Sequence, residues 1–501
     1  MTERMMHRTS AGARRAVARA RAARASVAAL AAASIAIAVG CAINPVTGSP
    51  QLMLVSEQEE KQIGRDADAQ IVAQYGLVDR PDLAAYVDRV GQRLAAGSHR
   101  PDLGYAFRVL DDPVVNAFAL PGGYVYLTRG ILAHLPDEAA MAGVLGHEIG
   151  HVTARHGPER MTKATLLQLG IGVGALVHET FAEWAGLAGA ASQLLLMRWG
   201  RDDERQADEL GVEYATAHGF DTASMAWFFH TLDRIQPEAG RLPSWLSTHP
   251  DPGERYETVM ELTAKVRAAR AAPLEVGRED FVQKTDGLVF GPDPRAGFVK
   301  DGAFHHPDLG FRFRVPDGWT LSNEASRVVM ASPGQDAVLL FGIANAPSAA
   351  QAARGFAPAG VRVIGREDRT TNGRPAAHVT SVGSDAAGDS VAIESTFIDL
   401  GGRVYVFHGL TAAGARPRFA PTFARVSGSL EAERDVAVQA VVLRAVRAPS
   451  SRRFREAVAA WPIPSGADAD LERLALMNGY ELDDVVPTGT PLKVLVAGSG
   501  R

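Results

Sequence analysis

Between Glu57 and Ala96 the apolar residues Leu83, Tyr86, Val87, Val90 and Leu94 return every three or four positions, which predicts helix with one buried face. The period then shortens. Tyr105 to Leu110 alternates, with Ala106 and Arg108 against Phe107 and Val109, and Gly123 to Thr128 alternates again, so a small sheet is expected. Met141, Val144, Leu145 and Val152 restore helical spacing, with Asp137 suited to the N-cap, Glu138 to the first turn and Gly157-Pro158 to the stop. Leu210, Tyr214 and Ala217 carry a further helix from Asp203 to Ala217, ended by His218-Gly219.

After about Arg270 the texture changes. Short alternating runs at 310–315, 337–343, 376–382, 391–398 and 403–410, with turn signals at Pro316-Asp317-Gly318-Trp319 and Asn372-Gly373, predict an antiparallel sheet with one or two helices, the last over 417–430. The tail reads strand (437–445), helix (452–461), helix (469–477), strand (492–496). The fold class is therefore α+β: a mainly helical body with a small sheet, an accessory α+β domain over 280–432, and a βααβ tail over 435–497.

The candidate chemistry sits on the helix after Asp137. His147 and His151 are four apart in His147-Glu148-Ile149-Gly150-His151, so both imidazoles share one face and can reach one cation. Glu148 lies about 100° around the axis from His147, beside a metal as a base and off the ligand stripe. A catalytic zinc typically takes three protein ligands. A third histidine on the same segment would need Gly at 154 and His at 157, where the chain has Ala154 and Gly157. A carboxylate from the later helix can complete the set. Glu204 and Asp208 are four apart, so Glu204 can ligate while Asp208 accepts the spare N–H of a ligating histidine. An ordinary charged helix face is the plainer alternative, since Arg201, Asp202, Asp203, Arg205 and Glu209 surround the pair. His156 falls off the metal-facing stripe and is expected to be structural.

Val144 to His156 (VLGHEIGHVTARH), followed by Arg201 to Asp208 (RDDERQAD), resembles the zinc metallopeptidases of the CAAX-prenyl-protease, HtpX, Oma and BepA family. Three further stretches resemble it in the same order: Asn44-Pro45-Val46-Thr47-Gly48 to Val55, Asn116 to Gly123 running on to Gly130, and Ser247-Thr248-His249-Pro250 with Arg255. The resemblance covers about Asn44 to Arg270 and implies a zinc metallopeptidase domain over 56–270. It implies one Zn²⁺ held by His147, His151 and Glu204, Glu148 as general base, and Asp208 beside a ligand. His249 and Arg255 are candidate oxyanion donors, and the resemblance also allows His249 to close the fourth zinc position in a resting state. The strand Asn116, Ala117, Phe118, Ala119 is expected to pair with an extended polypeptide substrate. The implied activity is a metalloendopeptidase acting on misfolded or unassembled envelope proteins. The competing reading is a latent chaperone or scaffold lipoprotein with its zinc site closed by His249.

Seven arginines against one acid, Glu3, precede an uncharged apolar run from Ala25 to Gly40 and the sole cysteine, Cys41. A basic region followed by a short apolar one predicts a secretory signal over 1–40, with Ala38-Val39-Gly40-Cys41 similar to a bacterial lipobox. The expectation is a lipid anchor at Cys41, a linker over 41–55 and a place in the periplasm at the outer membrane. Removing that segment's net +6 from the chain's −5 leaves −11, which argues against a nucleic-acid partner. With 46% hydrophobic and 22% charged residues, the remainder is ordinary globular material. Thr165 to Val177 is apolar for only about thirteen residues, too short to span, and is expected to be a lid or a buried helix. His305-His306 reads as a solvated pair in a turn. Leu476-Met477-Asn478-Gly479 and Pro487-x-Gly489-x-x-Leu492-Lys493 are similar to the end of a LysM domain, which would imply peptidoglycan, but Arg447-Ala448-Pro449-Ser450 replaces its Gly-Asp-Thr start.

Overall fold

Polar caps and apolar periodicity together set the first elements of the chain. The structure is a computed structural model, which describes residues 40–168, 199–235, 245, 248–249 and 251–498, apart from 359, 385–387, 435, 437, 466 and 468. The expected signal, the lipobox residues Ala38 and Val39, most of the apolar segment 165–177, and Ser247 and Pro250 lie outside the described residues. The expected linker is instead a hairpin, β1 (Gly40–Ile43) with β2 (Pro50–Met53), in which Cys41 faces Leu52 across the ladder. It docks through Asn44 Nδ2, which donates to the Ala154 carbonyl at 3.2 Å, and Gln51 Nε2, which donates to Glu159 at 2.6 Å.

Ser56 and Glu59 form a reciprocal capping box at the start of α1 (Glu57–Tyr75), and Pro81 opens α2 (Pro81–Ala96). Leu83, Tyr86, Val87, Val90 and Leu94 are all buried on α2. The small sheet is β3 (Ala106–Leu110), β4 (Ala117–Leu120) and β5 (Tyr124–Thr128) in the order β3-β5-β4, with β4 on the edge. A short helix, α3 (Arg129–His134), leads to α4 (Glu138–Thr153), capped by Asp137, which accepts from the Ala140 N–H at 3.0 Å. The expected apolar stripe understates α4, since every residue from Ala139 to Thr153 is buried. The stop also comes earlier than Gly157-Pro158. The cap is Ala154, Arg155 turns left-handed (φ 59°), and Gly157 and Pro158 fall in the first turn of α5 (His156–Gln168), where proline's missing N–H costs nothing. Helices α6 (Arg201–Ala217), α7 (Ala223–Arg234), α8 (Pro252–Ala269) and α9 (Arg278–Thr285) complete this body.

Beyond it, β6 (Val289–Phe290) pairs with the tail, whereas β7 (Phe298–Lys300), β8 (Ala303–His306) and β9 (Phe311–Arg314) begin the accessory domain. His305 and His306 therefore lie in a strand, with His305 Nδ1 2.8 Å from Glu433 and its ring stacked on Phe298. The main accessory sheet has seven antiparallel strands in the order β10-β11-β12-β16-β15-β14-β13. They are β10 (Thr320–Asn323), β11 (Arg327–Ala331), β12 (Ala337–Ala344), β13 (Arg362–Thr371), β14 (Arg374–Ser384), β15 (Ser390–Leu400) and β16 (Arg403–Ala412). Helices α10 (Ala349–Gly355) and α11 (Arg416–Gly428) pack on it, and β17 (Glu431–Ala432) joins β9.

The tail has the expected order: β18 (Ala440–Arg447), a short α12 (Phe454–Ala457), α13 (Leu471–Met477) and β21 (Pro491–Gly498), with β19 (Arg452–Arg453) and β20 (Val485–Val486) between. It does not stand apart. Leu443, Leu474, Met477 and Leu495 belong to the same apolar core as Leu132, Met141 and Phe229 of the helical body. Lys493 is 1% exposed and its Nζ donates to the carbonyls of Ala133 and Leu135 at 2.8 and 2.5 Å. Trp227 Nε1 donates to the Leu476 carbonyl at 3.0 Å. Among the described residues, no helix is long and apolar enough to cross a membrane.

Candidate metal centre

Glycine brings the two central helices into backbone contact. A Cβ on Gly146 would lie 3.0 Å from the Gly211 carbonyl oxygen, and one on Gly211 would lie 3.0 Å from the His147 nitrogen. Because α4 and α6 touch at this level, Glu204 and Asp208 on α6 reach the histidines of α4. The segment at Trp245 and His249 closes the remaining side, its Trp245 ring stacked on His249 at 4.6 Å and 17°.

His147, His151, Glu204 and His249 are buried and bring one ligand atom each to within 4.8 Å of one another. His147 Nε2 lies 3.1 Å from His151 Nε2 and 3.3 Å from His249 Nδ1, while His249 Nδ1 lies 2.9 Å from Glu204 Oε1. Tetrahedral zinc with bonds of about 2.0–2.2 Å separates its ligand atoms by roughly 3.3–3.6 Å, so three imidazoles and a carboxylate at these spacings fit that ion. Glu148 stands beside them. Its Oε1 is 3.8 Å from His249 Nε2, and both atoms are buried without a hydrogen-bond partner among the described residues. Burial pushes the Glu148 pKa up to about 7, helped by the Glu204 charge and opposed by His147, Arg255 and the Ala119 N–H. That places its proton affinity in the range a general base uses.

Asp208 makes the contact expected of it, with Oδ1 2.9 Å from His147 Nδ1, which leaves Nε2 free to face the cluster. Arg255, which the sequence reading grouped with His249 as a candidate donor, packs on the metal-facing carboxylates. Its Nε and Nη2 donate to Asp208 Oδ2 and Oδ1 at 2.8 and 2.6 Å, and Nη1 lies 3.0 Å from Glu204 Oε2. Its guanidinium carbon is 4.2 and 4.5 Å from the ring centres of Phe229 and Trp245, which stack on each other at 5.5 Å beside it. Burial opposes ionisation of both carboxylates. The charges of His249 and Arg255 hold Glu204 well below its usual pKa, and Arg255 holds Asp208 below its own. Arg255 serves the metal-facing carboxylates: Nε and Nη2 bond Asp208, while Nη1 is in ion-pair range of Glu204 without a hydrogen bond among the described residues.

The expected substrate strand borders the same cavity. Among the described residues β4 pairs only with β5, and the Ala119 N–H is directed at Glu148, so its other edge faces the site. Ala117 and Phe118 are buried, Phe118 stacks on Tyr126 at 4.7 Å, and Asn116 accepts from the Thr128 N–H through its carbonyl at 3.0 Å. A narrow cleft continues from this edge between Ala119, Pro121, His151, Gly157 and Trp199.

Sequence reading passed over three side chains at the site, Gln206, Trp199 and Trp245, and gave His156 only a structural part. His156 lies 2.9 Å from His151, Gln206 lies 3.0 Å from His156, and Trp199 stacks on His151 at 4.4 Å. The spacing of Gln206, midway between Glu204 and Asp208, is the one signal that could have drawn attention to it.

Residues 81–263 match the model of peptidase family M48. The chain is 32% identical over 208 residues to the putative beta-barrel assembly-enhancing protease of Vibrio cholerae serotype O1, covering 39% of this chain and 42% of that protein. It is 29% identical over 247 residues to the beta-barrel assembly-enhancing protease of Escherichia coli K12, covering 47% and 50%. To the mitochondrial metalloendopeptidase OMA1 of Schizosaccharomyces pombe it is 29% identical over 236 residues, covering 45% and 67%. The chain thus spans half or less of the two bacterial relatives. The matched residues 81–263 include His147, Glu148, His151, Glu204, Asp208, His249 and Arg255.

Proposed function

We propose that this chain is a zinc-dependent endopeptidase of the bacterial cell envelope that cleaves misfolded or unassembled envelope proteins. The observation that carries the reading is the buried cluster of His147, His151, Glu204 and His249 with the unpartnered Glu148 carboxylate oxygen beside it. When bound, zinc supplies Lewis acidity: it lowers the pKa of a water molecule and polarises the scissile carbonyl. His147, His151 and Glu204 would hold the ion, with Asp208 and Arg255 keeping His147 and Glu204 in place. Glu148 Oε1 takes the proton released as the peptide carbonyl is attacked and returns it to the leaving amine. The free edge of β4 aligns an extended substrate by main-chain hydrogen bonds, which suits unfolded chains of varied sequence.

Several features support the envelope. The basic and apolar segments before Cys41 fit secretion with a lipid anchor at that residue, and the names of the bacterial relatives refer to β-barrel assembly. The βααβ tail is proposed chiefly as a packing module of the peptidase domain, with peptidoglycan as a secondary partner, because its core is shared with the helical body. A second reading, a latent chaperone, is favoured by one observation: His249 Nδ1 stands among the ligands at 2.9 Å from Glu204 and 3.3 Å from His147.

Purified chain incubated with casein and with an unfolded β-barrel protein should cleave both, lose cleavage on chelation and regain it with zinc. Cleavage indifferent to chelation contradicts the proposal.

A further inference from the structure

His156 is 2% exposed, and both of its ring nitrogens are engaged beside the metal centre. Nδ1 lies 2.9 Å from His151 Nδ1, and Nε2 lies 3.0 Å from Gln206 Oε1. A neutral imidazole has one donor and one acceptor nitrogen, so these contacts fix one another. If His151 is to offer the lone pair of Nε2 to the cluster, its proton must sit on Nδ1. That proton faces His156 Nδ1, which must then be the acceptor. His156 therefore carries its own proton on Nε2, and the amide oxygen of Gln206 accepts it. Reversing any one of these assignments either sets two donors against each other or puts a proton on the His151 nitrogen that faces the ligands.

The backbone is arranged to make this contact. Arg155 takes a left-handed conformation (φ 59°) that residues with a Cβ usually avoid, and this turn brings the His156 ring to 5.1 Å from that of His151. The Arg155 side chain is held in turn, its Nε donating to Glu60 and its Nη2 to the Val55 carbonyl, both at 3.1 Å. Gln206 lies on α6 between Glu204 and Asp208. One helix thus orients both histidines of α4: His147 directly through Asp208, and His151 indirectly through Gln206 and His156.

We propose that His156 and Gln206 are positioning residues of the metal centre, a neutral relay that holds His151 in the tautomer whose Nε2 lone pair faces the ion. The proposal rests on the reading of the site as a zinc centre, and its test needs no substrate. Zinc affinity of the full chain is measured by competition with a chromophoric chelator, alongside thermal unfolding of the zinc-free protein. His156→Ala should weaken zinc binding by about 10–100-fold, the usual effect of losing a partner to a ligating histidine. His156→Asn places an amide oxygen near the position of Nδ1 and should recover most of that loss. Gln206→Glu keeps an acceptor and should bind zinc about as tightly as wild type, whereas Gln206→Leu should not. A relay predicts this ordering even if all four variants unfold at similar temperatures. Wild-type affinity in His156→Ala, or His156→Asn no better than His156→Ala, overturns the relay. Wild-type protein that binds no zinc sinks the metal centre itself and the relay with it.

Discussion

Glu148 Oε1 and His249 Nε2 face each other at 3.8 Å, each buried and neither hydrogen-bonded among the described residues. An unsatisfied buried polar atom costs about 1–3 kcal/mol, so two together mark a place where a third group belongs during the reaction. With Nδ1 of the same ring among the ligand atoms, His249 closes the site from one side while flanking the base on the other.

His249→Ala tests that closure. Removing the ring should weaken zinc binding and raise the basal rate of casein cleavage several-fold, because the fourth position is opened. Zinc retained with cleavage lost would instead make His249 a donor to the transition state.

Arg255 is a stability determinant as well as a positioning group. Replacing it with alanine leaves Asp208 and Glu204 buried without their cation, and breaking such a cluster costs about 3–5 kcal/mol. Urea unfolding of Arg255→Ala should show a loss of that order. Arg255→Lys should recover only part, since one ammonium cannot make the paired contacts to Asp208 and also pack as a planar cation against the Phe229 and Trp245 rings. An alanine variant as stable as wild type would contradict the geometry.

The tail predicts a pH effect. Burial, reinforced by the Arg278 charge, holds the Lys493 pKa well below its usual value, while a neutral amine can still donate to Ala133 and Leu135. The unfolded chain therefore binds more protons at this residue than the folded one, from the lowered pKa up to about 10.4. Stability should rise with pH across that window. Lys493→Met should flatten the rise between pH 7 and pH 9 in unfolding titrations, and an unchanged slope would show that Lys493 does not carry it.

Much of the site is legible because its chemistry is local. Two histidines four apart on one helix, and two acids four apart on another, declare shared faces without any knowledge of the fold. What the pattern cannot show is how those helices meet. The α4–α6 contact depends on Gly146 and Gly211, which carry no hydropathy signal as a pair. The His156 relay depends on a left-handed Arg155, where no glycine advertises the turn. Arg255 is legible as a site residue, but its contacts with Asp208, Glu204, Phe229 and Trp245 are not, because they join residues distant in sequence. In the accessory domain the alternating strands were readable, whereas β13 was not. It is an edge strand largely exposed on both faces, so its residues need not alternate. The tail's order of elements was readable as well. Its fusion to the helical core was not, because that rests on contacts between residues hundreds of positions apart.

The most direct test of the central claim compares wild type with Glu148→Gln after metal removal and reloading. Glutamine keeps the size and polarity of the side chain but cannot take a proton. Both proteins should bind one zinc per chain with similar affinity, and only wild type should cleave casein. Equal cleavage by the two zinc-loaded proteins would contradict Glu148 as the base and, with it, the assigned site.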